Sequence, residues 1–98
     1  MDKNELKQAV LNSDLYSRSE KLLINELISI SIDFVSVASA KYLMSKTGLS
    51  QTTTYTSLGS LKKRGVIILN NREPNSYTLN QDELARVLNF YKNASFYI

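Results

Sequence analysis

Gln51, Thr52, Thr53, Tyr55 and Thr56 place five short hydrogen-bonding side chains within six positions, directly behind Ser50. On one flank of a helix such groups suit the edges of bases in a duplex groove. Gln pairs with adenine N6 and N7, and threonine methyls touch the thymine methyl. No Arg or Lys stands in these first two turns, so bidentate reading of guanine from them is not expected. A·T-leaning recognition is. Ser50 opens the segment, where the free N–H groups of a helix N-terminus can also hold a phosphate.

Bases flank this polar front. Lys62, Lys63 and Arg64 follow it, Lys41 and Lys46 precede it, and Arg72 lies in the turn beyond. These suit phosphates, contacts that position rather than specify. Their setting is uneven: from Phe34 to Arg72 there are six bases and no acid, and the remainder holds six bases against nine acids. A basic middle inside an acidic shell is the pattern of a polyanion-facing surface. Each feature also has a plainer reading. Lys62-Lys63-Arg64 suits a solvated helix end favoured by the helix dipole, and Tyr55 can pack on a core.

The elements that must hold these residues follow from periodicity and caps. Ser50 caps a helix over 51–63 with Thr54, Leu58 and Leu61 inward, closed by Gly65. A helix over 39–46 precedes it, with Ala40, Leu43 and Met44 inward, and Gly48 breaks it. Val66–Leu69 and Tyr77–Leu79 read as two strands of a hairpin around the turn-rich 70–76, with Pro74 in the loop. Upstream, Asp2 and Glu5 form one capping box ahead of a helix over 3–12, and Ser17 and Glu20 a second ahead of a helix over 19–31. Within the latter, 28–32 alternates with period two, a strand pattern outweighed by the longer helical one. Residues 34–37 read as a short edge strand. Asn80 and Glu83 form a third box, opening a helix with Leu84, Val87, Leu88 and Tyr91 on one face.

Two helices joined by a tight turn (about 39–64) and followed by a hairpin (about 66–79) make a winged helix-turn-helix. The stretch 47–67 resembles the recognition region of winged helix-turn-helix regulators of the MarR and ArsR groups. Gly48, Leu49, Ser50, Leu58, Leu61, Gly65 and Ile67 match that pattern, and Tyr77–Leu79 resembles the strand returning from the wing. The resemblance covers about half of the chain. Gly59 departs from it. A glycine there costs about 1 kcal/mol, and it suggests close approach of another backbone. The expected fold is therefore α+β: a mostly helical single domain over 1–98, with a β-hairpin wing followed by a helix. The function implied is sequence-specific binding of double-stranded DNA by a small transcriptional regulator.

Size and composition narrow the rest. The chain has 98 residues, 43% of them apolar, and neither Cys nor His. That excludes disulfides, thiolate catalysis, Cys/His zinc sites and Ser-His nucleophiles. No cofactor is expected, and no enzyme: Asp82 and Glu83 are explained by a helix start. No apolar run reaches membrane length and the first residues lack a signal-peptide core, so a cytoplasmic, nucleoid-associated protein is expected. The N-terminal helix serves core packing or dimerisation equally well. Phe96-Tyr97-Ile98 would be a costly patch on a monomer. A two-fold homodimer is expected, with recognition helices about 34 Å apart. Two alternatives stand beside regulation. Centromere-binding adaptors of the TubR kind are similar in size and dimeric, and recruit a filament partner in plasmid or phage segregation. A winged helix can also serve only to bind another protein.

Overall fold

The computed structural model describes residues 2–96, with the side chains of Ser95 and Phe96 outside that description. The described residues form five helices and three strands, in the order α1 (Lys3–Leu11), α2 (Arg18–Ile30), β1 (Val35–Val37), α3 (Ala40–Thr47), α4 (Gln51–Lys63), β2 (Ile67–Leu69), β3 (Ser76–Leu79) and α5 (Gln81–Phe96). The fold is α+β. Tyr97 and Ile98 of the predicted apolar tail, with the Phe96 side chain, lie outside the described residues.

Local chemistry sets most boundaries. Ser50 accepts from the Thr53 amide and caps α4 as predicted. Ser39, expected as the first residue of α3, instead caps it from outside by accepting from the Tyr42 amide. Of the three anticipated capping boxes, only Ser17–Glu20 closes in both directions. Asp2 caps α1 through the Asn4 amide, while Glu5 turns away to Lys92 at 3.2 Å. Asn80 accepts from the Asp82 and Glu83 amides, but Glu83 pairs with Arg86. Glu20 closes its box through one carboxylate oxygen while Arg64 holds the other, whereas Glu5 and Glu83 are drawn to Lys92 and Arg86.

The end of α4 is a Schellman motif. Gly65 adopts φ 74°, its amide bonds the Lys62 carbonyl, and the Val66 amide reaches back to Leu61 at 3.0 Å. That use of the Val66 amide explains why β2 starts one residue later than its β-branched run suggests.

α2 is the centre of the core. Leu23, Ile24, Leu27 and Ile28 are all buried, and the helix packs on α1, α3, α4 and β1. The period-two pattern over 28–32 is helical as far as Ile30. There Ser31 caps the end, donating to the Ile28 carbonyl, and the chain reverses through Asp33 and Phe34. Both have positive φ, 49° and 65°, and Ile32 and Val35 exchange backbone hydrogen bonds across them. This is the reversal a two-residue hairpin needs. The bulky Phe34 is an unusual occupant, held there by its half-buried ring on the core.

The sheet is antiparallel in the order β1-β3-β2. Val35 faces Thr78, and Ile68 faces the same residue from the other side. The predicted edge strand is thus present as β1. α5 then returns along α1. Asn80 pins its start by donating to the carbonyls of Gly65 (side chain, 2.8 Å) and Val66 (backbone, 2.9 Å). No helix among the described residues is long and apolar enough to cross a membrane.

Candidate nucleic-acid interface

α4 divides cleanly into two sides. Thr54, Ser57, Leu58 and Leu61 are buried, while Gln51, Thr52, Tyr55, Thr56, Gly59, Lys62 and Lys63 are exposed. The exposed set recurs at three- and four-residue intervals, one continuous stripe along the helix. Tyr55 is 56% exposed, so its ring is not part of the core. The inward stripe contains Thr54, Leu58 and Leu61 as periodicity predicts. Ser57 joins it, bonded to the Ser19 hydroxyl of α2 at 2.9 Å. Thr54 is wholly buried and its hydroxyl has no hydrogen-bond partner.

Two members of the predicted front are used locally. The Ser50 hydroxyl accepts from the Thr53 amide and donates to the Thr53 hydroxyl at 3.0 Å, and Thr53 is half-buried. Their hydroxyls are engaged with each other in the first turn of α4, Ser50 from an exposed position. The outward hydrogen-bonding groups are therefore Gln51, Thr52, Tyr55 and Thr56.

The predicted bases separate. Lys62 and Lys63 are exposed in the last turn of α4. Lys41 and Lys46 are exposed on α3, the latter with its ammonium 5.8 Å from the Tyr42 ring centroid. Tyr42 in turn donates to Glu26 at 2.8 Å, which raises its pKa. Arg72 is exposed at the tip of the β2–β3 loop, where its amide bonds the Asn70 side chain. Arg64 differs. Its guanidinium bonds the Glu20 carboxylate at 3.2 Å and the Leu15 carbonyl at 2.7 Å, and lies 5.1 Å from the Tyr16 ring centroid. Its side chain is only 38% exposed. The run Lys62-Lys63-Arg64 thus supplies two outward charges and a third that is tied to Glu20 and Leu15. The cause is Glu20, 7% exposed, which needs a cation.

Glu20 was legible as a cap but not as a junction. It also takes the Ser17 amide at 2.8 Å and the Ser60 hydroxyl at 3.0 Å. Burial alone would raise its pKa. The hydrogen bonds from Ser17 and Ser60, with Arg64, outweigh that and hold it below the usual carboxylate value. A carboxyl with a depressed folded pKa stabilises the fold above its unfolded pKa. The contribution is lost as pH falls from there through the lower folded value. Glu20→Gln should therefore melt at lower temperature than the natural chain at neutral pH, by about 1 kcal/mol of stability. The gap should close on acidification below the carboxylate range, as followed by thermal circular dichroism at stepped pH. A gap that stays constant in acid would refute the linkage.

A groove of about 360 Å³ runs between the first turn of α2 and α4, with Glu20 on its wall and hydroxyls from Ser19, Thr52, Thr56, Ser57 and Ser60 around it. The carboxylate that lines this groove is thus the one that Arg64 pairs with.

Gly59 lies mid-stripe, and a β-carbon added there would meet nothing within 4 Å. Among the described residues nothing outside its own helical backbone crowds that position, so packing there does not require glycine. Gly59→Ala should raise stability by about 1 kcal/mol. Thermal melting checks it, and a lower melting temperature would show that the helix relies on glycine after all.

Compared with family models, curated proteins and solved structures, the chain matches none.

Proposed function

We propose that the chain is a winged helix-turn-helix protein that binds double-stranded DNA, with α4 in the major groove and the β2–β3 hairpin as the wing. It acts as a small, homodimeric transcriptional regulator. Supporting this is the element order: α3, a three-residue turn of Gly48, Leu49 and Ser50, α4, then a hairpin. A helix of this kind presents its front to base edges when its outer side is polar and uncovered.

The observation that carries the reading is the exposed stripe of α4. It runs from Gln51 to Lys63 without a carboxylate, stays exposed among the described residues, and includes a glycine whose β-carbon position they leave open. A glycine on a groove-facing helix lets the helix sit closer to the sugar-phosphate wall. Gln51, Thr52, Tyr55 and Thr56 are the base-edge candidates. Lys41, Lys46, Lys62, Lys63 and Arg72 are the phosphate candidates. Arg64 acts instead as the clamp that fixes α4 on α2.

The test is selection of bound fragments from random and genomic DNA, followed by anisotropy on A·T-rich and G·C-rich permutations of the selected site. An A·T-rich consensus bound at least about ten-fold tighter is expected, given roughly 1–3 kcal/mol per discriminated base pair. Equal affinity for both permutations would sink the proposed base readout. Selected single promoter sites fit a regulator, whereas clustered tandem repeats would move the role to segregation. Absence of any salt-sensitive DNA binding would leave the fold as a protein-binding module.

A further inference from the structure

A second surface shares no element with the polar stripe. A groove of about 400 Å³ lies between the end of α1, the α1–α2 loop and α5, with walls from Ala9, Leu15, Val87, Phe90 and Ala94. Phe90 stands on its rim 76% exposed, and the exposed Leu15 lines the same groove. We propose that this groove seats a second copy of the chain. Across a two-fold axis, Phe90 of each copy enters the groove of the other.

Three observations favour that occupant. Projection and hole lie on one surface, so a single two-fold operation fills both. A small apolar molecule in the groove would touch only the groove-facing side of the Phe90 ring and leave its outer side in water. Charge is complementary as well. The segment from Asn12 to Ser17 contains Asp14 and no base, while α5 beyond Glu83 contains Arg86 and Lys92 and no acid. Arg86 lies one turn before Phe90 on the same side of α5. It is largely exposed and its ion pair among the described residues is with Glu83 on its own helix. A ring entering the facing groove brings that guanidinium beside the partner's Asp14. The groove is also formed in advance, since Lys92 and Glu5 tie α5 to α1 at 3.2 Å. A preformed site lowers the ordering cost of association.

This inference deepens the dimer of the proposed function and rests on it, but needs nothing of DNA. The experiment is sedimentation equilibrium of the full chain, its Phe90→Glu variant, its Asp14→Arg variant and the double variant Asp14→Arg/Arg86→Glu. Circular dichroism of each checks the fold. The natural chain should be dimeric. Phe90→Glu should stay folded and dissociate with a constant raised about a hundred-fold or more, because two rings are lost per dimer. Asp14→Arg should weaken association, and the double variant should restore it. A monomeric natural chain, a dimeric Phe90→Glu chain, or a double variant as weak as Asp14→Arg would each overturn the proposed seat. DNA anisotropy on the same samples separates the two readings. If the natural chain dimerises through Phe90 but ignores DNA, the DNA reading falls and this one stands. If it binds DNA as a monomer, the reverse holds.

Discussion

Replacing Lys62 and Lys63 together by glutamine is expected to lower DNA affinity by on the order of five-fold per phosphate contact at physiological salt, and by the square of that in a dimer. The diagnostic quantity is the slope of log affinity against log salt. Each lost contact removes about 0.9 from that slope, so the double variant should be shallower by roughly 2 per protomer. Both lysines are exposed and neither makes a salt bridge among the described residues, so binding is what should change most. Their proximity to the C-terminal dipole of α4 does contribute to the fold, about 0.3–1 kcal/mol each. A small fall in melting temperature is therefore expected alongside the loss of binding. Anisotropy titrations across a salt series decide the matter. An unchanged slope would show that the two lysines only solvate the helix end. Arg64→Gln is the informative control. It should lower stability by releasing Glu20, and leave the slope close to that of the natural chain.

The largest effect on the fold is expected from Leu61→Ala. Leu61 is completely buried on the inward side of α4, next to Leu58 and against the α2 centre of the core. Truncating such a leucine typically costs about 2–5 kcal/mol, through lost transfer energy and the cavity left behind. Domains of this size have only about 5–15 kcal/mol in total. Since each kcal/mol is worth roughly 4–8 °C here, the melting temperature should fall by at least about 10 °C. Denaturant titration at 25 °C would measure the same loss. A fall under about 1 kcal/mol would mean that α4 can slide to fill the void. That result would undermine the idea of a rigidly presented polar stripe. The two variants are opposites by design: one should cost binding with little loss of fold, the other fold first and binding only through it.

Much of the architecture can be read along the chain. The limits of α4, from Gln51 to Lys63, agree with the sequence reading, as does its Ser50 cap. The breaks at Gly48 and Gly65 both fall where the backbone turns left-handed, each at φ 74°. These features depend on partners within about five residues: a cap on its third amide, a stripe on its next turn, a Schellman bond on a carbonyl five back. The hairpin is legible for the same reason, because the turn-forming residues 70–76 lie directly between two β-prone runs.

Other features depend on distant partners. Arg64 cannot be separated from Lys62 and Lys63 by type or spacing. Its role is decided by Glu20 and Leu15, 44 and 49 positions earlier. Ser57 becomes an inward residue through Ser19, 38 positions away. Glu5 and Glu83 look like box-closing glutamates until Lys92 and Arg86 are in place. Phe90 escaped notice because the helical face of Leu84, Val87, Leu88 and Tyr91 explains α5 without it. Only the assembled α1–α5 pair turns it into the rim of a groove. What the sequence determined by itself is therefore the set of elements, their caps and the polar flank of α4, since short-range hydrogen bonds and periodic apolar burial act between near neighbours. The tertiary structure alone decided which charges face outward. A side chain's electrostatic partner is set by where the chain returns in space, and a buried carboxylate takes the cation that packing brings to it.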